Sequence, residues 1–446
     1  MKRKFYVTIL CTLTILLLFL VNLKLRIPKF NSCSFIKVTK DLSSDFYKGR
    51  MIGSIENEYA GYYIKDKLST LGVAAVFEKY SALCPVKGNS IPYIKVYDRN
   101  GKLKKEYKYG TDFKEDMGNF KINSLIFSNK DKISKSDYYI QVFKNNDSFL
   151  LLSPQDGNIS FRSSFIKDSP FDMVFLLKKE ALTEINKFIA DGCNIHLSTP
   201  ITVENKNLSN VVGIIKGKDS SYPPLILSAH YDHVGTDFSG NIYNGALDNA
   251  SGVSFVYQMA EYIKDMGQPK GDIYIVLFNG EEGGFLGSYD FCMNHFADIK
   301  NGKVLNFDMI GSTSVPLCIM TAEKDSPEEG FAKEMSKICK NYKLNFNYLY
   351  QNASDHTPFR EAGIDAITFC DDDTSKIHTP ADKINIIDKE GGERCFKVVS
   401  KEILNYEYND NIIFYVDYLI IAASALVIIF LALLVRNKRR DFKSKA

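Results

Sequence analysis

The sequence predicts an α/β protein: a three-layer α/β/α domain on a mixed, mainly parallel sheet, with a β-rich domain inserted into it and one transmembrane helix at each end. Three observations predict it. Short apolar runs such as Leu225-Ile-Leu227, Ile273-Tyr-Ile-Val-Leu-Phe278 and Val304-Leu305 alternate with helical patterns, as buried parallel strands joined by helices do. Between residues 76 and 199 the texture changes to aromatic and β-branched runs broken by Asn, Asp, Gly and Lys turns. Two charge-free apolar runs, Phe5 to Val21 and Tyr418 to Val435, lie near the two ends.

The elements follow in chain order. Residues 5–23 are the first expected span; they follow Lys2-Arg-Lys4, and Asn22-Leu-Lys-Leu-Arg26 offers no small-residue cleavage site, so the run is expected to persist as an anchor. Residues 40–75 open the main domain, where Ser54 caps a helix carrying Tyr59, Tyr63, Ile64 and Leu68, with Gly72 as its stop. Residues 76–199 are the expected insertion, with strands at Ile91–Tyr97 and Tyr138–Phe143. Its tail, Lys179–Ala190 followed by Asp191-Gly192 and Asn194–Leu197, resembles the helix and last strand of a protease-associated domain.

Residues 200–405 complete the main domain. Val253, Val256, Tyr257, Ala260 and Ile263 mark one apolar helix face, Phe285–Phe296 suggests another helix, and the alternation continues through Lys303–Ile310, Glu328–Tyr342 and Ile364–Phe369. Residues 418–435 are the second span and residues 436–446 a basic tail. With basic clusters on the outer side of both runs, the positive-inside rule puts both tails in the cytoplasm and the domain between them outside, at the cell membrane.

Composition bounds what surrounds this frame. The 446 residues are 45% hydrophobic and 24% charged, ordinary for a globular protein with added apolar segments. A formal net charge of +3, with basic residues gathered at the ends, leaves no footprint for nucleic acid. The nine cysteines (Cys11, Cys33, Cys84, Cys193, Cys292, Cys318, Cys339, Cys370 and Cys395) show no Cys-x-x-Cys pair, which argues against a disulfide scaffold and a cysteine zinc site while leaving an isolated bridge open. Sequons occur at Asn158 and Asn207, among other positions; the one at Asn249-Ala-Ser251 would conflict with the polar cluster beside it.

That cluster carries the chemistry. Ser228-Ala-His-Tyr-Asp-His-Val-Gly235, Gly245-Ala-Leu-Asp-Asn-Ala-Ser-Gly252, Phe278-Asn-Gly-Glu-Glu-Gly283 and Asn306-Phe-Asp-Met-Ile-Gly311 follow or adjoin apolar runs, so their acidic and histidine residues are expected at strand ends, where open α/β sheets build sites. Zinc accepts neutral imidazole and carboxylate oxygen, and two ions roughly 3.5–4 Å apart need one bridging carboxylate and further donors on each side. His230, Asp248, Glu282, Asp308 and a distal histidine suffice for two Zn2+, and the distal one is expected to be His378 in Ile377-His-Thr-Pro-Ala-Asp382. Glu281 is then free to act as general base, and Asp232 can hold the other nitrogen of His230 and fix its tautomer. His356 is read as supporting the site from behind or from the substrate side, His233 as a loop histidine, and His196 and His295 as structural. Any one of these residues alone would read as an ordinary polar loop residue; their order and context point to a metal centre. The chain has no His-Glu-x-x-His, Gly-x-Ser-x-Gly or Walker A pattern, which removes single-zinc helix sites, serine hydrolases and nucleotide triphosphatases.

At these residues the sequence resembles the M28 family of zinc peptidases. The likeness runs from about Asn210 to about Leu404, including Ser354-Asp-His-Thr-Pro-Phe359, and Gly49-Arg-Met-Ile-Gly-Ser-Ile-Glu-Asn57 looks like the family's opening segment. The resemblance implies that His230 and Asp308 hold one zinc, Glu282 and His378 the other, that Asp248 bridges them, and that the Asp248–Asn249 peptide is cis. One departure is Ile377, where some members place a tyrosine beside the last histidine to stabilise the tetrahedral intermediate.

Site and topology together lead to an expectation: hydrolysis of peptide bonds, releasing N-terminal residues from extracytoplasmic peptides with free N-termini, by an enzyme whose other contacts are membrane lipids. A carboxypeptidase-like or glutaminyl-cyclase-like activity of the same fold is the alternative within enzymes. A receptor-like binding protein without catalysis is the alternative outside them.

Overall fold

The computed structural model describes residues 2–116, 118–326 and 330–443. An eight-stranded mixed sheet forms the centre, running in order Ala75–Lys87, Ile201–Ile215, Ile273–Phe278, Leu225–His230, Lys303–Asp308, Asp365–Asp371, Leu317–Thr321 and Phe346–Tyr350. The four strands from Ile273–Phe278 to Asp365–Asp371 are mutually parallel, which sends Phe278, His230, Asp308 and Asp371 to one edge. Antiparallel strands flank this block on both sides, at Ile201–Ile215 and at Leu317–Thr321.

The strands alternate strictly between two cores because side chains along a strand point to opposite faces. Leu225, Leu227, Ala229, Ile273, Ile275, Leu277, Leu305, Phe307, Ile367 and Phe369 face one core with helices Ser32–Leu42, Ile55–Thr70, Gly252–Met266, Gly330–Asn341 and Lys389–Glu407. Ile226, Tyr274, Val276, Phe278, Val304 and Ala366 face the other, with helices Leu286–Ile299 and Thr357–Glu361. Burial on both faces explains why these strands read as continuous apolar runs.

Ser54 caps its helix as expected, its side chain accepting from the Asn57 N–H at 3.1 Å, and Gly72 follows the helix end at φ +71°. The helix expected over 328–342 is seen from Gly330 to Asn341; residues 328 and 329 lie outside the described residues. Helix Ser32–Leu42 extends the main domain upstream of residue 40. Phe35, Val38 and Leu42, at helical spacing, bury its inner side, and Thr39 Oγ1 donates to Ser254 Oγ at 2.8 Å.

The segment from 76 to 87 belongs to the large sheet, paired residue for residue with Ile201–Ile215. These two strands form a long ribbon, and the chain between them builds two small sheets. One has four strands, Leu103–Glu106, Tyr93–Tyr97, Asn194–Ser198 and Ser124–Phe127; the other has five, Phe113–Asp116, Met173–Leu177, Asp147–Leu152, Tyr139–Lys144 and Lys132–Lys135. With helix Lys179–Ala190 they enclose a core of their own, including Ile94, Phe127, Phe149, Phe175 and Ile185.

Among the described residues, two helices are long and apolar enough to cross a membrane: Lys2–Leu25 and Ile412–Lys443, with mean hydropathy 2.4 and 3.0 over their apolar stretches. They lie antiparallel. Tyr6 sits 6.2 Å from Phe430, Lys24 pairs with Asp417 at the other end, and Leu20, Val416 and Ala423 are buried between them. The start of the first helix and the end of the second therefore share one end of the pair. Among the described residues all nine cysteines are unpaired.

Candidate metal centre

The site lies at the edge where the parallel strands end. His230 is the last residue of Leu225–His230 and Asp308 the last of Lys303–Asp308, while Glu281 and Glu282 occupy the short turn after Ile273–Phe278. Asp248 sits in the turn before helix Gly252–Met266, and His378 in the loop after Asp365–Asp371. The Asp248–Asn249 peptide is cis.

The donor atoms fall into two sets joined by Asp248. In the first, His230 Nε2 lies 3.3 Å from Asp308 Oδ1 and 3.5 Å from Asp248 Oδ1. In the second, His378 Nε2 lies 2.9 Å from Glu282 Oε1 and 3.1 Å from Asp248 Oδ2. Donors 2.0–2.2 Å from a tetrahedral zinc stand about 3.3 Å apart, so both sets are spaced to hold one. Each oxygen of Asp248 faces a different set. The residues are buried, with His230 only 1% exposed.

The structure adds a residue that was read as a loop histidine. His233 Nδ1 points into the second set, 3.1 Å from Glu282 Oε1 and 3.6 Å from Asp248 Oδ2. Asp232 is placed differently from its expected contact as well. Its carboxylate accepts the backbone N–H groups of Gly280 at 2.7 Å, Glu281 at 3.2 Å and Glu282 at 3.1 Å, and lies 3.8 Å from His230 Nδ1. These three backbone donors lie closer to it than the imidazole does, so its main hold is on the turn bearing both glutamates.

Other groups fix the frame. Asn249 donates from Nδ2 to the Phe307 carbonyl at 2.9 Å, and its Oδ1 accepts from Gly252 N–H and Met309 N–H at 3.0 and 3.1 Å, tying the Asp248 turn to the strand that ends in Asp308. Engaged on both sides and fully buried, Asn249 has no room for a glycan. Arg50, in the opening segment, is buried and donates to the carbonyls of Tyr231, Leu42, Asn244 and Gly245 at 2.7–2.9 Å, which joins the His230 loop to the Asp248 loop. Ser354 Oγ donates to Asp308 Oδ2 at 2.8 Å and accepts from Asn306 Nδ2 at 3.0 Å. His356 stands outside both donor sets: its Nε2 faces the Gln351 carbonyl at 3.1 Å and its Nδ1 faces Thr368 Oγ1 at 2.9 Å, a network that assigns the proton to Nε2. His295 pairs with Glu78 at 2.9 Å, away from the centre.

A strap from the inserted domain covers the second set. The Arg162 N–H donates to the His378 carbonyl at 3.0 Å and the Phe165 N–H to the Glu282 carbonyl at 2.9 Å. Ser164 Oγ donates to Glu282 Oε2, leaving Oε1 to face the two imidazoles, and the Phe161 ring stacks on His378 at 5.6 Å.

Electrostatics reflect the crowding. Burial pushes the Glu281 carboxyl well above the usual range, Glu282 and Asp308 adding to this and His230 opposing it. Burial alone would lower the His378 imidazole, but Glu282 and Asp248 hold it well above its ordinary value. Three carboxylates (Asp248, Glu282 and Asp308) and three imidazoles (His230, His233 and His378) form an anionic oxygen and nitrogen donor set, the chemistry that divalent zinc satisfies.

Comparison with known proteins gives the same reading of the fold. Residues 210–403 match Peptidase family M28. Aminopeptidase YwaD of Bacillus subtilis (strain 168) is 33% identical over 212 residues, 45% of this chain and 45% of that protein. A vacuolar membrane protease of Candida dubliniensis is 25% identical over 196 residues, 42% of this chain and 20% of its own length. The chain thus spans less than half the length of either relative. Among solved structures, an aminopeptidase from Aneurinibacillus sp. strain AM-1 aligns with a TM-score of 0.60 over 86% of this chain and 96% of that one, at 18% identity, which is a likeness of fold.

Proposed function

Given that residues 210–403 belong to peptidase family M28, we propose that this chain is a membrane-anchored, zinc-dependent aminopeptidase that releases N-terminal residues from extracytoplasmic peptides. The observation that carries this reading is the position of Asp248, whose Oδ1 faces His230 and whose Oδ2 faces His378. One carboxylate offered to two donor sets is what a pair of ions about 3.5–4 Å apart requires. In this reading His230 and Asp308 hold one zinc, Glu282 and His378 the other, and Asp248 both. Bound zinc supplies Lewis-acid polarisation of the scissile carbonyl and makes water nucleophilic at neutral pH.

The chain's own residues do the rest. Glu281 takes a proton from the attacking water and returns it to the departing amine. Asp232 keeps Glu281 aimed by holding the backbone of its turn. Cleavage at a chain end is supported by the strap over the second set, since a covered cleft admits a terminus more readily than the middle of a chain. The anionic surroundings also suit a free α-amino group. Membrane anchoring is supported by the two apolar helices, and an extracytoplasmic domain by their antiparallel packing with basic residues at the shared end.

The test is a peptide panel with free and blocked N-termini, assayed with the zinc-loaded full-length chain and after chelation. Turnover restricted to free N-termini and abolished by chelation is expected. Release from the C-terminus or acyl transfer on N-terminal glutamine would establish another activity of the fold, and zinc binding without turnover would make the chain a binding protein.

A further inference from the structure

The two donor sets are unequal. The first consists of His230, Asp248 and Asp308; the second gathers His233, Asp248, Glu282 and His378. We propose that His233 is a fourth protein ligand at the second set, closing that site to a tetrahedron and leaving the open coordination position at the first. This rests on the two-zinc reading above and deepens it.

The geometry supports ligation. His233 Nδ1 and His378 Nε2 approach the same two carboxylate oxygens, Glu282 Oε1 and Asp248 Oδ2, from different sides, with cross-distances of 3.1 and 3.6 Å from His233 and 2.9 and 3.1 Å from His378. These bracket the spacing of about 3.3 Å between ligands of a tetrahedral zinc. The two rings stand nearly perpendicular, at 79° with centroids 5.5 Å apart, so their nitrogens converge without the rings colliding.

The imidazole is also held in place before any ion arrives. Gly245 lies against it at φ +59°, and a Cβ there would sit 2.6 Å from His233 Cδ2, so the ring occupies the space that any other residue at 245 would need. The backbone N–H of His233 donates to the Arg50 carbonyl, and the Arg50 guanidinium in turn donates to the carbonyls of Tyr231 and Gly245 on either side. Ser164 occupies Glu282 Oε2, which limits that ligand to one oxygen and leaves a coordination position for a further donor.

The consequence follows from zinc chemistry. Four protein donors make a closed site of the structural kind, and three leave room for water or substrate. The second site would then hold its ion tightly and fix Asp248, while the position open to water lies on the His230 and Asp308 side.

The test is zinc content of the full-length chain across a chelator series, for wild type, His233→Ser and His233→Asn, with folding checked by circular dichroism. Wild type should hold two zinc ions. His233→Ser should release one of them at a free-zinc level at least about a hundredfold higher than wild type does, since even loss of a ligand's outer partner costs 10–100-fold; the other ion should be unaffected. His233→Asn, whose amide oxygen can reach the Nδ1 position, should fall between. Wild type holding two ions and His233→Ser holding both equally tightly would overturn this inference alone. Wild type holding fewer than two would overturn the two-zinc reading and this inference together.

Discussion

Asp382 holds Asp248 from behind: its carboxylate accepts the Asp248 N–H at 3.0 Å and the neighbouring Leu247 N–H at 2.7 Å, across more than a hundred residues of chain. A buried carboxylate accepting two backbone donors is worth roughly 1.5–3 kcal/mol per bond. Because Asp248 faces both donor sets, its support should matter to both.

Asp382→Asn replaces one acceptor oxygen with an amide that opposes a backbone N–H. Zinc titrations should show both ions bound about 10–100-fold more weakly. This differs from His233→Ser, where only one ion is expected to weaken. Unchanged affinity at both sites would show that the Asp248 turn keeps its place without Asp382.

His356 gives a pH signature. Burial pushes its imidazole down to about 4, well below the ordinary value near 6.5. The unfolded chain therefore binds a proton that the folded one refuses between those values, and stability falls as pH drops through that window. The full contribution, present above about pH 6.5, is roughly 3 kcal/mol and is lost by about pH 4. Urea denaturation of wild type and His356→Gln at pH 7.5 and pH 4.5 checks this, and the glutamine can still donate to the Gln351 carbonyl. Wild type should lose more stability on acidification than the variant; equal losses would mean that His356 stays easily protonated in the fold.

Topology can be read with reporters. One fused after Ala446 should be cytoplasmic, and one inserted near residue 150 should not, because basic residues flank both apolar helices at their shared end. A cytoplasmic reporter near residue 150 would overturn the two-span arrangement.

The parallel sheet was legible because its buried strands are apolar runs that end in or lead into polar residues with evident chemistry, as Leu225–His230 and Lys303–Asp308 do. The groups that hold the site were harder to see. His233 differs from any loop histidine only by what lies opposite it, and Glu282 comes from 49 residues away. Asp232 looked like the partner of a histidine two residues earlier, yet the turn after the neighbouring strand offers it three N–H groups that bind more closely. The strap at Phe161–Phe165 belongs to an irregular stretch of the insertion, and no periodicity could announce that it reaches across to His378 and Glu282. Helix Ser32–Leu42 was hidden by its shortness and by the longer apolar run before it.

The sharpest test separates the adjacent glutamates by measuring kcat and zinc content together in Glu281→Gln and Glu282→Gln. The amide preserves shape while removing basicity and charge. Glu281→Gln should keep its zinc and its substrate affinity while losing on the order of a hundredfold or more in kcat, the scale of a deleted general base; Glu282→Gln should lose zinc. Equal zinc loss in the two variants, or near wild-type turnover in Glu281→Gln, would contradict the assignment of proton transfer to Glu281 and metal binding to Glu282.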